Sequence, residues 1–148
     1  MHLADQPIPA LPHRRILQGR RVLLVEDDAI ICMLMEDGLI DAGAEVVGCA
    51  HSVEEALELI DRATADGGLS AAVLDINLDG EMVSPVADRL AALGVPFIFA
   101  TGYPEQCNRD LHETALRLVK PFDGDTLADA VSWVLIAGRW ARVLPAQG

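Results

Sequence analysis

Ala71-Ala72-Val73-Leu74-Asp75-Ile76-Asn77 is the stretch that decides the fold: an apolar run of strand length that ends on a carboxylate. Three other stretches repeat the pattern with different polar ends. Arg21-Val22-Leu23-Leu24-Val25 runs into Glu26-Asp27-Asp28, Phe97-Ile98-Phe99-Ala100 into Thr101-Gly102, and Ala115-Leu116-Arg117-Leu118-Val119 into Lys120-Pro121. As parallel strands of one sheet, these runs open their C-terminal ends on one edge, which is where open α/β sheets bind ligands. That edge carries carboxylates, one hydroxyl and one ammonium. Such groups are suited to a Mg²⁺-assisted phosphoryl transfer onto an aspartate.

Between the runs lie segments of helical period, and alternating strands and helices predict βα units around a parallel sheet. Asp28 offers an N-cap for a helix over 29–42, in which Ile30 and Leu34, with Ile31 and Met35, follow the four-residue spacing of a buried face. Gly43 ends it, and 45–50 reads as the second strand. Ser52-Val53-Glu54-Glu55 is a capping box opening a helix with Ala56, Leu59, Ile60 and Ala63 inward. After the Asp75 strand a loop passes through Gly80, and Ser84-Pro85 starts a helix to about residue 93. A short, weakly periodic helix is expected over 104–112, and a last helix over 126–141.

The chain has 148 residues, 51% of them apolar, enough for one real core and too few for a second domain of similar bulk. The predicted division is a flexible arm over residues 1–19, one domain over 20–142 and a tail over 143–148. A net charge of −12 repels phosphodiester backbones and argues against nucleic-acid partners. Prolines at 7, 9 and 12 and the lack of a long apolar run argue against a signal peptide or a membrane anchor. Cys32, Cys49 and Cys107 are odd in number and have no CxxC spacing, so they read as buried thiols of a reducing cytoplasm rather than as metal ligands. His51 and His112 read as surface residues.

Val22-Leu23-Leu24-Val25-Glu26-Asp27-Asp28, Leu74-Asp75-Ile76-Asn77, Ala100-Thr101-Gly102 and Lys120-Pro121-Phe122, in that order, resemble the receiver domain of two-component response regulators. The resemblance spans nearly the whole chain. Phe99-Ala100-Thr101-Gly102-Tyr103 is similar to the FATGY subfamily, often stand-alone receivers. The resemblance implies a doubly wound five-stranded parallel sheet, of flavodoxin-like order 2-1-3-4-5, with five helices.

A carboxylate attacks a phosphorylated donor poorly because both are anionic, so a divalent cation must screen them. Mg²⁺ takes oxygen ligands and keeps several waters, so Asp27 and Asp75 are expected as direct ligands and Glu26 as a ligand through water. The receiver pattern adds the backbone carbonyl of Asn77. Asp75 is the expected phosphoacceptor, Lys120 the cation that pairs with a phosphoryl oxygen, and Thr101 the hydroxyl for another. Simpler alternatives exist: Asp28 reads best as a helix cap, and Thr101 could be an ordinary turn residue. Tyr103 could gate the site or pack on the final strand.

Two departures from the receiver pattern concern output. The aromatic switch expected three residues before the lysine is Arg117, which makes Tyr103 and Arg117 the switch candidates. The proline expected four residues after the phosphoacceptor is Asp79, followed by Gly80 and Glu81. On the last helix, Leu127, Ala130, Val131, Val134 and Gly138 form one face, and Trp133, Ile136, Ala137 and Trp140 form a second apolar stripe. That stripe is a candidate dimer or partner surface, unless Ile8 and Leu11 of the arm fold back over it.

The leading expectation is a cytoplasmic, stand-alone receiver taking phosphate from a histidine kinase or phosphotransfer protein and acting by protein contact or phosphorelay, without catalysing turnover. Its downstream partner is open. A phosphate-independent interaction module is the alternative. An aspartyl phosphohydrolase of the haloacid dehalogenase kind would want a second Asp where Asn77 stands.

Overall fold

In the computed structural model, residues 15–102 and 115–143 are described, with side chains up to residue 137. Five strands, β1 (Arg21–Val25), β2 (Glu45–Ala50), β3 (Ala71–Asp75), β6 (Phe97–Thr101) and β7 (Leu116–Val119), form one parallel sheet in the order β2-β1-β3-β6-β7. β4 (Asn77–Leu78) and β5 (Glu81–Met82) make a separate two-stranded antiparallel pair. The helices among the described residues are α1 (Ala29–Asp41), α2 (Val53–Ala65), α3 (Ser84–Ala92) and α4 (Gly124–Val143). The helix expected over 104–112 lies outside the described residues.

Alternation along the strands divides the core into two layers. Leu23 and Val25 of β1, Leu74 of β3 and Phe97 and Phe99 of β6 pack with Ala56 and Ile60 of α2 and Val86 and Leu90 of α3. Their neighbours Val22, Leu24, Val73, Ile98 and Ala100 pack on the other face with Met35 and Leu39 of α1 and Leu127 and Val131 of α4. Strands buried on both faces read as continuous apolar runs, which is why β1, β3 and β6 carry no polar alternation, whereas β7, a partly buried edge strand, admits Arg117.

Three expectations need correction. Of the face expected for α1, Met35 is buried and Ile31 packs against the core, but Ile30 and Leu34 are 70% and 63% exposed, and Cys32 and Leu39 complete the inward face. The domain begins before residue 20: residues 15–19 form a turn in which Leu17 is fully buried and donates its N–H to Ala42. Burying one leucine contributes about 1.5–3 kcal/mol, so Leu17 belongs to the core. Cys32 and Cys49 are not separate thiols but a disulfide, because α1 packs back across the β1–β2 edge and sets its second turn beside the end of β2.

The caps follow the sequence. Asp28 accepts the N–H groups of Ile30 and Ile31 at 2.9 and 3.2 Å, and Ser52 that of Glu55 at 3.1 Å. Where α1 crosses the start of α4, Gly38 and Gly124 touch, since a Cβ on Gly38 would stand 2.5 Å from the Gly124 Cα. Among the described residues, no helix is long and apolar enough to cross a membrane.

Candidate functional site

Parallel register brings the strand ends to one level: Val25 pairs with Leu74, Asp75 with Ala100, and Thr101 with Val119. The next residue of each chain segment therefore faces a common edge. β1 and β3 are neighbours whose connections leave in opposite directions, with β2 on the far side of β1, so the crevice opens at this topological switch point.

Glu26 turns inward and is 1% exposed. Burial disfavours its charged form and raises its pKa to about 7, although the Lys120 ammonium at 2.6 Å and the Asp28 N–H at 3.1 Å both favour the anion. Asp75 is raised for the same first reason, burial, with Lys120 opposing it from 3.5 Å. For Lys120, burial alone would lower the pKa. Glu26 and Asp75 outweigh that and hold it above the ordinary lysine range. The site thus contains one firmly charged ammonium shared by two carboxylates.

Asp27 is exposed at the rim, and one oxygen from each of Glu26, Asp27 and Asp75 lies within 4.8 Å of the others. Three carboxylates facing a single lysine leave negative charge uncompensated. Hard oxygen donors around an open cavity fit a cation such as Mg²⁺, so these residues could hold one. The cavity measures about 540 Å³ and is lined by Asp27, Asp75, Asn77, Thr101, Gly102 and Lys120, with Asp79, Gly80 and Met82 of the β4–β5 hairpin as its outer wall. Thr101 is buried at the end of β6, and its carbonyl accepts the Lys120 N–H at 2.8 Å, which ties hydroxyl and ammonium to one corner. The Lys120–Pro121 peptide is cis.

Asn77 opens β4, its N–H donated to Asp75 at 3.3 Å and its side chain accepting the Gly80 N–H at 2.8 Å. The hairpin was missed in the sequence, although Asp79-Gly80 between Asn77-Leu78 and Glu81-Met82 is a turn dipeptide. Both residues have positive φ, 50° and 88°, as a two-residue hairpin loop requires. Glu81 then accepts the Val53 N–H at 3.2 Å, joining the hairpin to the start of α2.

The remaining candidates among the described residues are not gathered at the cavity. Arg117 lies in β7 with its guanidinium 5.4 Å from the Phe99 ring centre and an N–H donated to the Ala115 carbonyl. Trp133 and Ile136 are 62% and 57% exposed on α4, and Ala137 is half-buried. Tyr103 and the side chain of Trp140 lie outside the described residues. So do Ile8 and Leu11.

A grouping that the sequence reading did not find sits behind Glu26. The Cys32 sulfur is 3.3 Å from the Glu26 carbonyl oxygen and His51 Nδ1 is 2.9 Å from it, so the bridge and the imidazole share that one atom. Sequence spacing alone hides this. Pairing β2 beside β1 would have set Cys49 opposite Leu24 and brought it towards α1.

No protein-family model matches the chain. It is 32% identical over 124 residues to the phyllosphere-induced regulator PhyR of Methylorubrum extorquens, an alignment covering 82% of this chain and 45% of that protein. The chain thus spans under half of that regulator's length. The solution structure of SdrG from Sphingomonas melonis is 38% identical, covering 79% of this chain and 96% of that one, with a TM-score of 0.67. The response-regulator REC domain of Erythrobacter litoralis PhyR is 25% identical, covering 88% and 98%, with a TM-score of 0.66.

Proposed function

We propose, because this chain belongs to the receiver-domain family of response regulators, that Asp75 accepts a phosphoryl group from a phosphohistidine on a histidine kinase or phosphotransfer protein. The observation that carries the reading is the convergence on one open cavity of Asp75, the Lys120 ammonium 3.5 Å away, Thr101 and the rim carboxylate Asp27. An Asp75 oxygen attacks phosphorus, the P–N bond breaks, and the leaving imidazole takes a proton. The product is an acyl phosphate on Asp75. Lys120, already charged, neutralises one phosphoryl oxygen, and the Thr101 hydroxyl donates to another. Glu26 keeps Lys120 oriented from the buried side.

Asp27, Asp75 and the Asn77 carbonyl would hold Mg²⁺ directly, with Glu26 reached through water. When bound, the ion screens the two anionic reactants and orients the attack. The protein is then a cytoplasmic signalling receiver of the FATGY kind, acting by protein contact or phosphorelay rather than by turnover. The exposed Trp133 and Ile136 strip is its candidate homodimer or partner face, with no role for nucleic acid or membrane. Incubation with acetyl phosphate should add one phosphoryl group by intact mass in the presence of Mg²⁺ and none after chelation. Labelling indifferent to chelation would contradict the role given to the carboxylate cluster.

A specific observation favours a second reading, a phosphate-independent interaction module. Arg117, standing where a receiver's switch aromatic is expected, lies over Phe99, and an arginine held there cannot act as a ring that turns inward. Unchanged amide spectra far from the cavity on adding beryllofluoride, a phosphoryl mimic, would select that reading.

A further inference from the structure

We infer that Cys32 and Cys49 form a reversible dithiol–disulfide site whose state tunes the acidic cavity from behind. The cysteines belong to different elements, α1 and β2, with Cα atoms 6.4 Å apart, a separation that a disulfide bridges. A stapling role is unneeded, since disulfides compensate for a core too small to hold a fold and this domain has two apolar layers on a five-stranded sheet. What the bridge does touch is the cavity's buried wall. The Cys32 sulfur contacts the Glu26 carbonyl, the Glu26 N–H is donated to Ala50 beside Cys49, and His51 meets the same carbonyl from the β2 side.

Access is asymmetric. Cys32 is buried on the inner face of α1, whereas Cys49 is half-buried on β2, which is an edge strand of the sheet. An external thiolate, from glutathione or a protein dithiol, therefore attacks the Cys49 sulfur. The S–S bond breaks, Cys32 leaves as thiolate and takes a proton, and a second external thiol displaces Cys49 from the mixed disulfide. Two electrons and two protons pass to the protein, and the donor pair becomes a disulfide. Oxidised glutathione drives the reverse. One ring nitrogen of His51 lies within 4.8 Å of both sulfurs, within reach to relay the proton. Closing the bond tethers the first turns of α1, and with them the 26–28 loop, to β2. The oxidised form should then bind Mg²⁺ several-fold more tightly, because less loop ordering remains for the ion to impose. This coupling rests on the cavity reading above. The thiol chemistry does not.

The test uses the full chain carrying Cys107→Ser, so that one cysteine pair remains. It is equilibrated across ratios of reduced to oxidised glutathione, alkylated, and mapped by mass. Smooth interconversion of Cys32 and Cys49 with the fold retained in both states, as judged by circular dichroism, supports the site. A pair that never closes, that opens only when the protein unfolds, or that binds Zn²⁺ in place of closing would overturn it. Mg²⁺ is then titrated into each form, following the amides of residues 26–28. Tighter binding by the oxidised form supports the coupling. Equal affinity overturns the coupling and leaves the cavity reading standing, whereas shifts in neither form overturn the cavity reading and the coupling together.

Discussion

Among the described residues, Glu26 is the most deeply buried carboxylate, and its charge should be visible in stability. Its pKa is 4.5 when unperturbed and about 7 in the folded, metal-free protein, so between those values the folded state holds more protons than the unfolded chain. The slope of stability with pH follows the unfolded count minus the folded one, which here is negative. The stabilisation from protonated Glu26 is therefore complete below about 4.5 and lost as pH rises through about 7. Urea unfolding at pH 5 and pH 8 in chelated buffer, compared between the wild type and Glu26→Gln, isolates the effect. The wild type should lose a few kcal/mol over that interval beyond any loss in the variant. Equal slopes would mean that Lys120 at 2.6 Å keeps Glu26 ionised throughout.

At the scale of elements, the three central strands that lead into Glu26, Asp75 and Thr101 were legible because a strand buried on both faces needs an unbroken apolar run, and the edge strand before Lys120 because Leu116, Leu118 and Val119 keep it largely apolar around Arg117. The facing of α1 was not. Ile30, Ile31, Cys32, Met33, Leu34 and Met35 are consecutive and apolar, so periodicity offers no polar face by which to orient the helix. Packing against the sheet selects Cys32, Met35 and Leu39. Leu39→Ala should accordingly cost about 2–5 kcal/mol, while Leu34→Ala should stay within about 0.5 kcal/mol, both read from urea midpoints. Similar losses at the two positions would mean that α1 is rotated from the orientation described. The contact between Gly38 and Gly124 makes a second check on the α1–α4 crossing. Gly38→Val places a Cβ 2.5 Å from backbone that has no flexible side chain to move, and should destabilise by about 1–3 kcal/mol. An unchanged midpoint would show that α4 can slide away at no cost.

For the whole molecule, the candidate site was legible to the extent that single residues at strand ends define it. What escaped the sequence depends on contacts between distant segments: Leu17 under α1, the β4–β5 hairpin walling the cavity, and the sulfur pair behind Glu26. The fold holds three carboxylates together against one lysine, a repulsion that a bound cation relieves. Mg²⁺ should therefore raise the melting temperature more at pH 8, where Glu26 is ionised, than at pH 5. Asp27→Ala should abolish most of that gain while raising stability in metal-free buffer. A Mg²⁺ response that is the same in Asp27→Ala would remove Asp27 from the ligand set. The central claim, however, is that the cavity exists to make an acyl phosphate at Asp75. Borohydride reduces an acyl phosphate of aspartate to homoserine, so the protein treated with acetyl phosphate and Mg²⁺, then reduced and mapped by peptide mass, reports the site directly. Homoserine at position 75, absent from Asp75→Asn, is the predicted result; homoserine at another aspartate, or none in protein that carries phosphate, would contradict it.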